Sequence, residues 1–110
     1  MVEHRVDPDA VFKALADPSR RQMVESLSRS ERTIGELAGP FDMSLAGASK
    51  HVRVLEEAGL VRSEKRGRER VCWLDPSALH GLRDWVERYA AFWDARLDVL
   101  DAALKEDDDE

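Results

Sequence analysis

Ser44-Leu45-Ala46-Gly47-Ala48-Ser49-Lys50-His51-Val52-Arg53-Val54-Leu55-Glu56-Glu57-Ala58-Gly59 is the stretch from which the rest of the chain is read. Leu45, Ala48, Val52 and Leu55 recur at intervals of three, four and three, which predicts a helix with that set facing inward. Ser44 suits the N-cap, and Gly59 stands where such a helix stops. The other face carries Ala46, Gly47, Ser49, Lys50 and Arg53, small residues first and cations after. A helix of that profile can push its first turns into a DNA major groove. Nothing bulky blocks the approach, and Lys50 and Arg53 can meet phosphates or guanine edges. An ordinary amphipathic helix with a solvated basic edge is the plainer reading, and the flanks decide between them.

Upstream, Asp7-Pro8 and Asp17-Pro18 each put a capping carboxylate before a proline suited to the first helical position, and Asp75-Pro76 repeats the pattern later. These predict a short helix over about Asp9–Ala16, with Val11, Phe12 and Leu15 inward, and a second from Pro18 to about Ser28, with Met23, Val24 and Leu27 buried. Arg20 and Arg21 fall in the first turn of the second, where the helix dipole disfavours a cation. That position gives them another task, with a phosphate or an acidic neighbour as candidates. Thr33-Ile34-Gly35-Glu36 has the spacing of a capping box and opens a third helix, which Gly39-Pro40 ends. Two short helices joined by Phe41-Asp42-Met43 make a helix-turn-helix whose second member is the reader.

After Gly59 the period shortens. Leu60–Glu64 and Arg70–Leu74 read as two strands around a glycine-containing turn, Lys65-Arg66-Gly67-Arg68-Glu69. Edge strands often carry cations to prevent sheet pairing. Lys65, Arg66, Arg68 and Arg70, crowded beside a reading helix, fit better as a wing resting on the DNA backbone. The last helix is expected from Pro76 to about Leu104, about 40 Å at 1.5 Å per residue. Leu79, Leu82, Val86, Tyr89, Trp93, Leu97, Leu100 and Leu104 form one stripe, with Ala78, Trp85, Phe92 and Val99 beside it. Together they cover about 160° of the helix, more than its own core requires. The surplus, rich in Trp and Tyr, predicts a homodimer interface on this helix that includes Leu82, Trp85, Tyr89, Phe92, Trp93, Leu97 and Leu100. A broader single-chain core is the alternative.

The 110 residues fit one domain, assigned to 1–105, with a disordered acidic tail at 106–110. Net charge is −6, which by itself argues against nucleic acid, but the charge is divided along the chain. Lys50 to Arg70 holds seven cations against four acids; Asp75 to Glu110 holds four against eleven. The basic surface and the acidic third are separate in sequence, so local DNA binding and an acidic whole are compatible. No membrane span is expected, Met1–Arg5 lacks the apolar run of a signal peptide, and lone Cys72 fits a reducing cytoplasm.

The order helix, helix, helix-turn-helix, wing, long helix resembles the ArsR/SmtB-type winged helix-turn-helix regulators over nearly the whole chain. The likeness is carried by Phe12-Lys13-Ala14-Leu15-Ala16-Asp17-Pro18-Ser19-Arg20-Arg21, Ser49-Lys50-His51-Val52, Leu55-Glu56-Glu57-Ala58-Gly59-Leu60-Val61 and Arg66-Gly67-Arg68. The resemblance implies a mainly α fold with a small β-hairpin wing. It also implies a dimeric repressor of double-stranded DNA, with first and last helices in the dimer contact, Val11 and Phe12 being the residues of the first. Ser44, Ala46, Gly47, Ser49, Lys50, His51 and Arg53 would then serve the reading helix, and Lys65, Arg66, Arg68 and Arg70 the wing. The members without a metal site are most similar. The third helix has no paired cysteines, and the last offers only His80 beside Asp84 and Glu87, too little nitrogen and sulfur for a transition-metal site. No cofactor is expected and no catalytic constellation is present in the sequence; the sequence leaves any small-molecule effector unknown. A metal-responsive repressor and a winged-helix protein-interaction module remain the rival readings.

Overall fold

The computed structural model describes residues 7–108; the expectation on Met1–Arg5 lies outside them. The helices begin where their caps require. Asp7 Oδ1 accepts the Asp9 N–H at 3.0 Å and opens α1, Pro8–Leu15. Asp17 Oδ1 accepts from Ser19 and Arg20 and opens α2, Pro18–Leu27. The capping box forms in full: Thr33 Oγ1 accepts the Glu36 N–H at 3.1 Å, and Glu36 Oε1 accepts the Thr33 N–H at 3.0 Å. It opens α3, Ile34–Ala38. A 3-10 turn, Gly39–Phe41, and Asp42 in the left-handed region (φ 51°) lead to α4, Leu45–Glu57.

The hairpin is β2, Val61–Arg66, against β3, Glu69–Leu74, in register from Val61 opposite Leu74 to Arg66 opposite Glu69. Its strands run further than expected, leaving Gly67-Arg68 as a two-residue turn. Arg32 and Thr33 form a third strand, β1, antiparallel to β3 with Arg32 opposite Cys72, so the sheet order is β1-β3-β2. Two residues carry no alternation to read, which is why the sequence did not announce this strand. α5 runs Pro76–Asp108, past the expected end at Leu104. The positions assigned to a tail are therefore helical through Asp108, and Asp109 and Glu110 lie outside the described residues.

One core joins these elements. Val11, Met23, Leu37, Val52, Leu55, Leu60 and Cys72 are its largest wholly buried side chains, and among the described residues no polar side chain is fully buried. Ala78, Leu79 and Leu82 bring only the beginning of α5 to it. One inward assignment in α1 is corrected: Phe12 is 40% exposed, because Val11 and Ala14 take the core-facing direction of this two-turn helix, while Leu15 packs half-buried against the core.

Candidate nucleic-acid interface

Ala48, Val52 and Leu55 fix α4 to the core, and Ser44 Oγ accepts the Gly47 N–H at 3.0 Å to set its start. Ala46, Lys50 and Arg53 lie exposed on the outer face, with Gly47 and Ser49 half-buried at its margins. Neither Lys50 nor Arg53 has a carboxylate partner among the described residues. Leu45 departs from its expected place. It shares the angular stripe of Ala48 and Val52 but is 63% exposed, because the first turn of α4 projects beyond the body that covers the later turns.

His51 is half-buried, and the network behind it explains the two arginines. Arg20 Nε donates to Ala14 O at 2.6 Å, Nη2 to Lys13 O at 3.2 Å, and Nη1 approaches His51 Nδ1 at 3.2 Å. Arg21 Nη1 donates to Leu15 O at 2.7 Å. Both cations thus satisfy the free carbonyls at the end of α1, where positive charge is favoured. Of the partners expected from sequence, an acidic neighbour is present for Arg20, whose Nη1 lies 3.8 Å from Asp17 Oδ2. A guanidinium only donates, so His51 Nδ1 must accept and Nε2 carries the proton. That N–H has no partner among the described residues and can donate to a phosphate or base acceptor. Partial burial pushes the Asp17 carboxyl up, but the Arg20 and Ser19 N–H groups and the Arg20 charge outweigh it and hold its pKa below the ordinary value.

The hairpin turns on Gly67, whose φ of +64° lies in the region that side chains resist. Lys65 and Arg68 at the tip have no ion pair among the described residues. Arg66 is engaged: Nη1 meets Glu31 Oε1 at 2.8 Å, Nε meets Glu64, and the guanidinium lies 5.9 Å from the Trp73 ring centroid. Hydrogen bonds donated to Glu31 and then to Glu64 raise its pKa further. Arg70 Nη1 donates to Ser63 Oγ at 3.0 Å, and Ser63 Oγ donates to Glu56 Oε1 at 2.7 Å. That chain ties both wing strands to the last turn of α4. Beneath it Cys72 is fully buried, and burial followed by the Glu56 charge pushes its thiol up to about 11. The side chain is core packing without thiolate character.

The expected dimer residues separate into two sets. Val11 is wholly buried in its own chain and is withdrawn, since α1 turns it inward and Phe12 outward. Leu82 is half-buried against the same core. Tyr89, Phe92, Trp93, Leu97 and Leu100 are all exposed, Trp93 to 56%. Phe12 meets Trp85 edge-on at 4.9 Å, and Trp85 stacks on Tyr89 at 4.0 Å. The uncovered surface therefore continues from α1 onto α5. Among the described residues no group of three or more His, Cys, Asp or Glu side chains is placed to hold a metal ion, and no helix is long and apolar enough to cross a membrane.

Comparison with known proteins agrees with this arrangement. A helix-turn-helix domain family matches residues 15–64. The HTH-type transcriptional regulator Rv2034 of Mycobacterium tuberculosis is 40% identical over 82 residues, 74% of this chain and 77% of that protein. The transcriptional repressor SdpR of Bacillus subtilis is 29% identical over 76 residues, 69% of this chain and 84% of its own. A crystal structure of an ArsR family transcriptional regulator superposes with a TM-score of 0.73 at 38% identity, covering 78% of this chain and 89% of that one. With an exposed cationic face on α4, a two-stranded hairpin beside it and relatives of this closeness, the chain belongs to the ArsR/SmtB-type winged helix-turn-helix regulators, which bind DNA to regulate transcription.

Proposed function

We propose that the protein is a cytoplasmic homodimeric repressor that binds a pseudo-palindromic operator. The observation that carries this reading is the outer face of α4. From Ala46 to Arg53 it is small at the front and cationic behind, and among the described residues its cations have no carboxylate partner. Lys50 and Arg53 contact base edges or adjacent phosphates, and the His51 Nε2–H supplies a further donor. Lys65 and Arg68 rest on the backbone beyond. The bare face of α5 with Phe12 supports pairing with a second copy, and two-fold symmetry then presents two α4 helices to half-sites about 10–10.5 base pairs apart or a multiple of that.

The test is selection of bound fragments from the source genome, followed by gel shift against random duplex competitor. The expected result is one recurrent inverted repeat, bound by two chains. Lys50→Ala and Arg53→Ala weaken binding to it more than to random duplex. A protein that prefers no duplex over competitor at modest salt is not a regulator of this kind.

A further inference from the structure

We propose that Leu45 reads a thymine in each operator half-site, by packing against the C5 methyl group that this base presents in the major groove; the inference rests on α4 being the helix that enters that groove. Among the described residues, the large apolar side chains left exposed fall into two groups. Phe12 and the series from Val86 to Leu104 lie on α1 and α5, where a second copy accounts for them. Leu45 lies on a different element from these, at 63% exposure on the first residue of α4.

The helix cap does not account for it. The hydrophobic staple that fixes the entry of a helix joins the residue before the cap to the fourth helical one, here Met43 and Ala48, so capping does not require Leu45. Its Cδ2 lies 3.9 Å from the point a Cβ on Gly35 would occupy, which places the side chain along the start of α3, at the mouth of the helix-turn-helix. Ala46, Gly47 and Ser49 around it are small, so Leu45 is the bulkiest feature on the leading turn. Residues at the leading end of a reading helix meet base edges. The apolar landmark on the major-groove edge of unmodified base pairs is the thymine methyl, since the other groups there are donors and acceptors.

The experiment uses the selected operator made by chemical synthesis, so that every pyrimidine methyl in it belongs to thymine. Thymines are replaced with deoxyuridine one symmetric pair at a time, which removes the methyl and keeps the base pair. At one such pair the wild-type protein is expected to bind about fourfold more weakly per half-site, the factor one buried carbon supplies. Leu45→Ala binds the thymine and deoxyuridine operators equally, with a thermal unfolding curve matching wild type. Wild-type binding that is indifferent to deoxyuridine at every position overturns the contact, as does a Leu45→Ala protein that still discriminates. Failure to select any operator is a different result, and it removes the regulator reading itself.

Discussion

Arg20 stands at the positive end of α2, where a cation is disfavoured by about 0.3–1 kcal/mol. It is held there by two carbonyls of α1 and by His51 of α4, so one side chain locks three helices together. Arg20→Ala leaves Ala14 O and Nδ1 without their side-chain donor, Lys13 O keeping the Ala16 N–H, and is expected to destabilise the fold by about 1–3 kcal/mol in urea denaturation. Arg20→Lys recovers only part of the loss, since an ammonium cannot span the same three acceptors. Asp17, Glu36 and Asp75 all have folded pKa values below their ordinary ones; N–H groups hold the second and third down, that of Thr33 for Glu36 and that of Ser77 for Asp75. Their contribution is complete above the unfolded values near about 4 and drains away as pH falls through the lower folded ones. Asp17→Asn, which can still cap but carries no charge, is expected to lose this contribution at pH 7, to approach wild type in acid, and so to flatten the acid limb of a stability–pH curve.

The wing separates the four cations that the sequence offered as equivalents. Lys65 and Arg68 are open at the tip, Arg66 is held by two carboxylates and Arg70 by Ser63. Removing Lys65 and Arg68 together should make the slope of log affinity against log salt shallower by about two for each wing on the DNA, on any sequence. Arg66→Ala should change it less, since much of its charge is already met. Gly67→Ala at φ +64° should cost the hairpin about 1–2 kcal/mol by thermal or urea unfolding, and Gly67→Asn less. Local chemistry was legible in the chain: Asp7, Asp17, Thr33 with Glu36, and Ser44 each open a helix where their side chains require it. What depends on a distant neighbour was not. Arg66 meets Glu31 across thirty-five positions, Arg20 meets His51 across thirty-one, and the two residues of β1 pair only because β3 arrives beside them. The stripe on α4 correctly put Ala48, Val52 and Leu55 inside. It failed at Leu45 because periodicity gives direction around a helix but not how far the body extends along it.

The described chain is far from round. Its radius of gyration is 19.2 Å and its extents are 71 × 41 × 21 Å, where a compact domain of this size would have a radius near about 13 Å. The excess is α5, whose 33 residues reach about 50 Å while only its first turns meet the core. From Val86 to Glu106 every residue on it is exposed. Trp93→Glu combined with Leu97→Glu is therefore expected to yield a monomer by sedimentation. Its helix-turn-helix should remain folded by circular dichroism, and its operator affinity should fall because the two reading helices are no longer linked.

The rod that bears the bare apolar face also bears the excess of carboxylates. Bringing two such rods together sets like charge against like, a repulsion that mobile ions relieve. The same ions compete with phosphates for the basic end of the molecule. Pairing and DNA binding should therefore answer salt in opposite senses. Dilute protein titrated with salt would then occupy its operator best at an intermediate ionic strength, with separated chains below it and stripped DNA above.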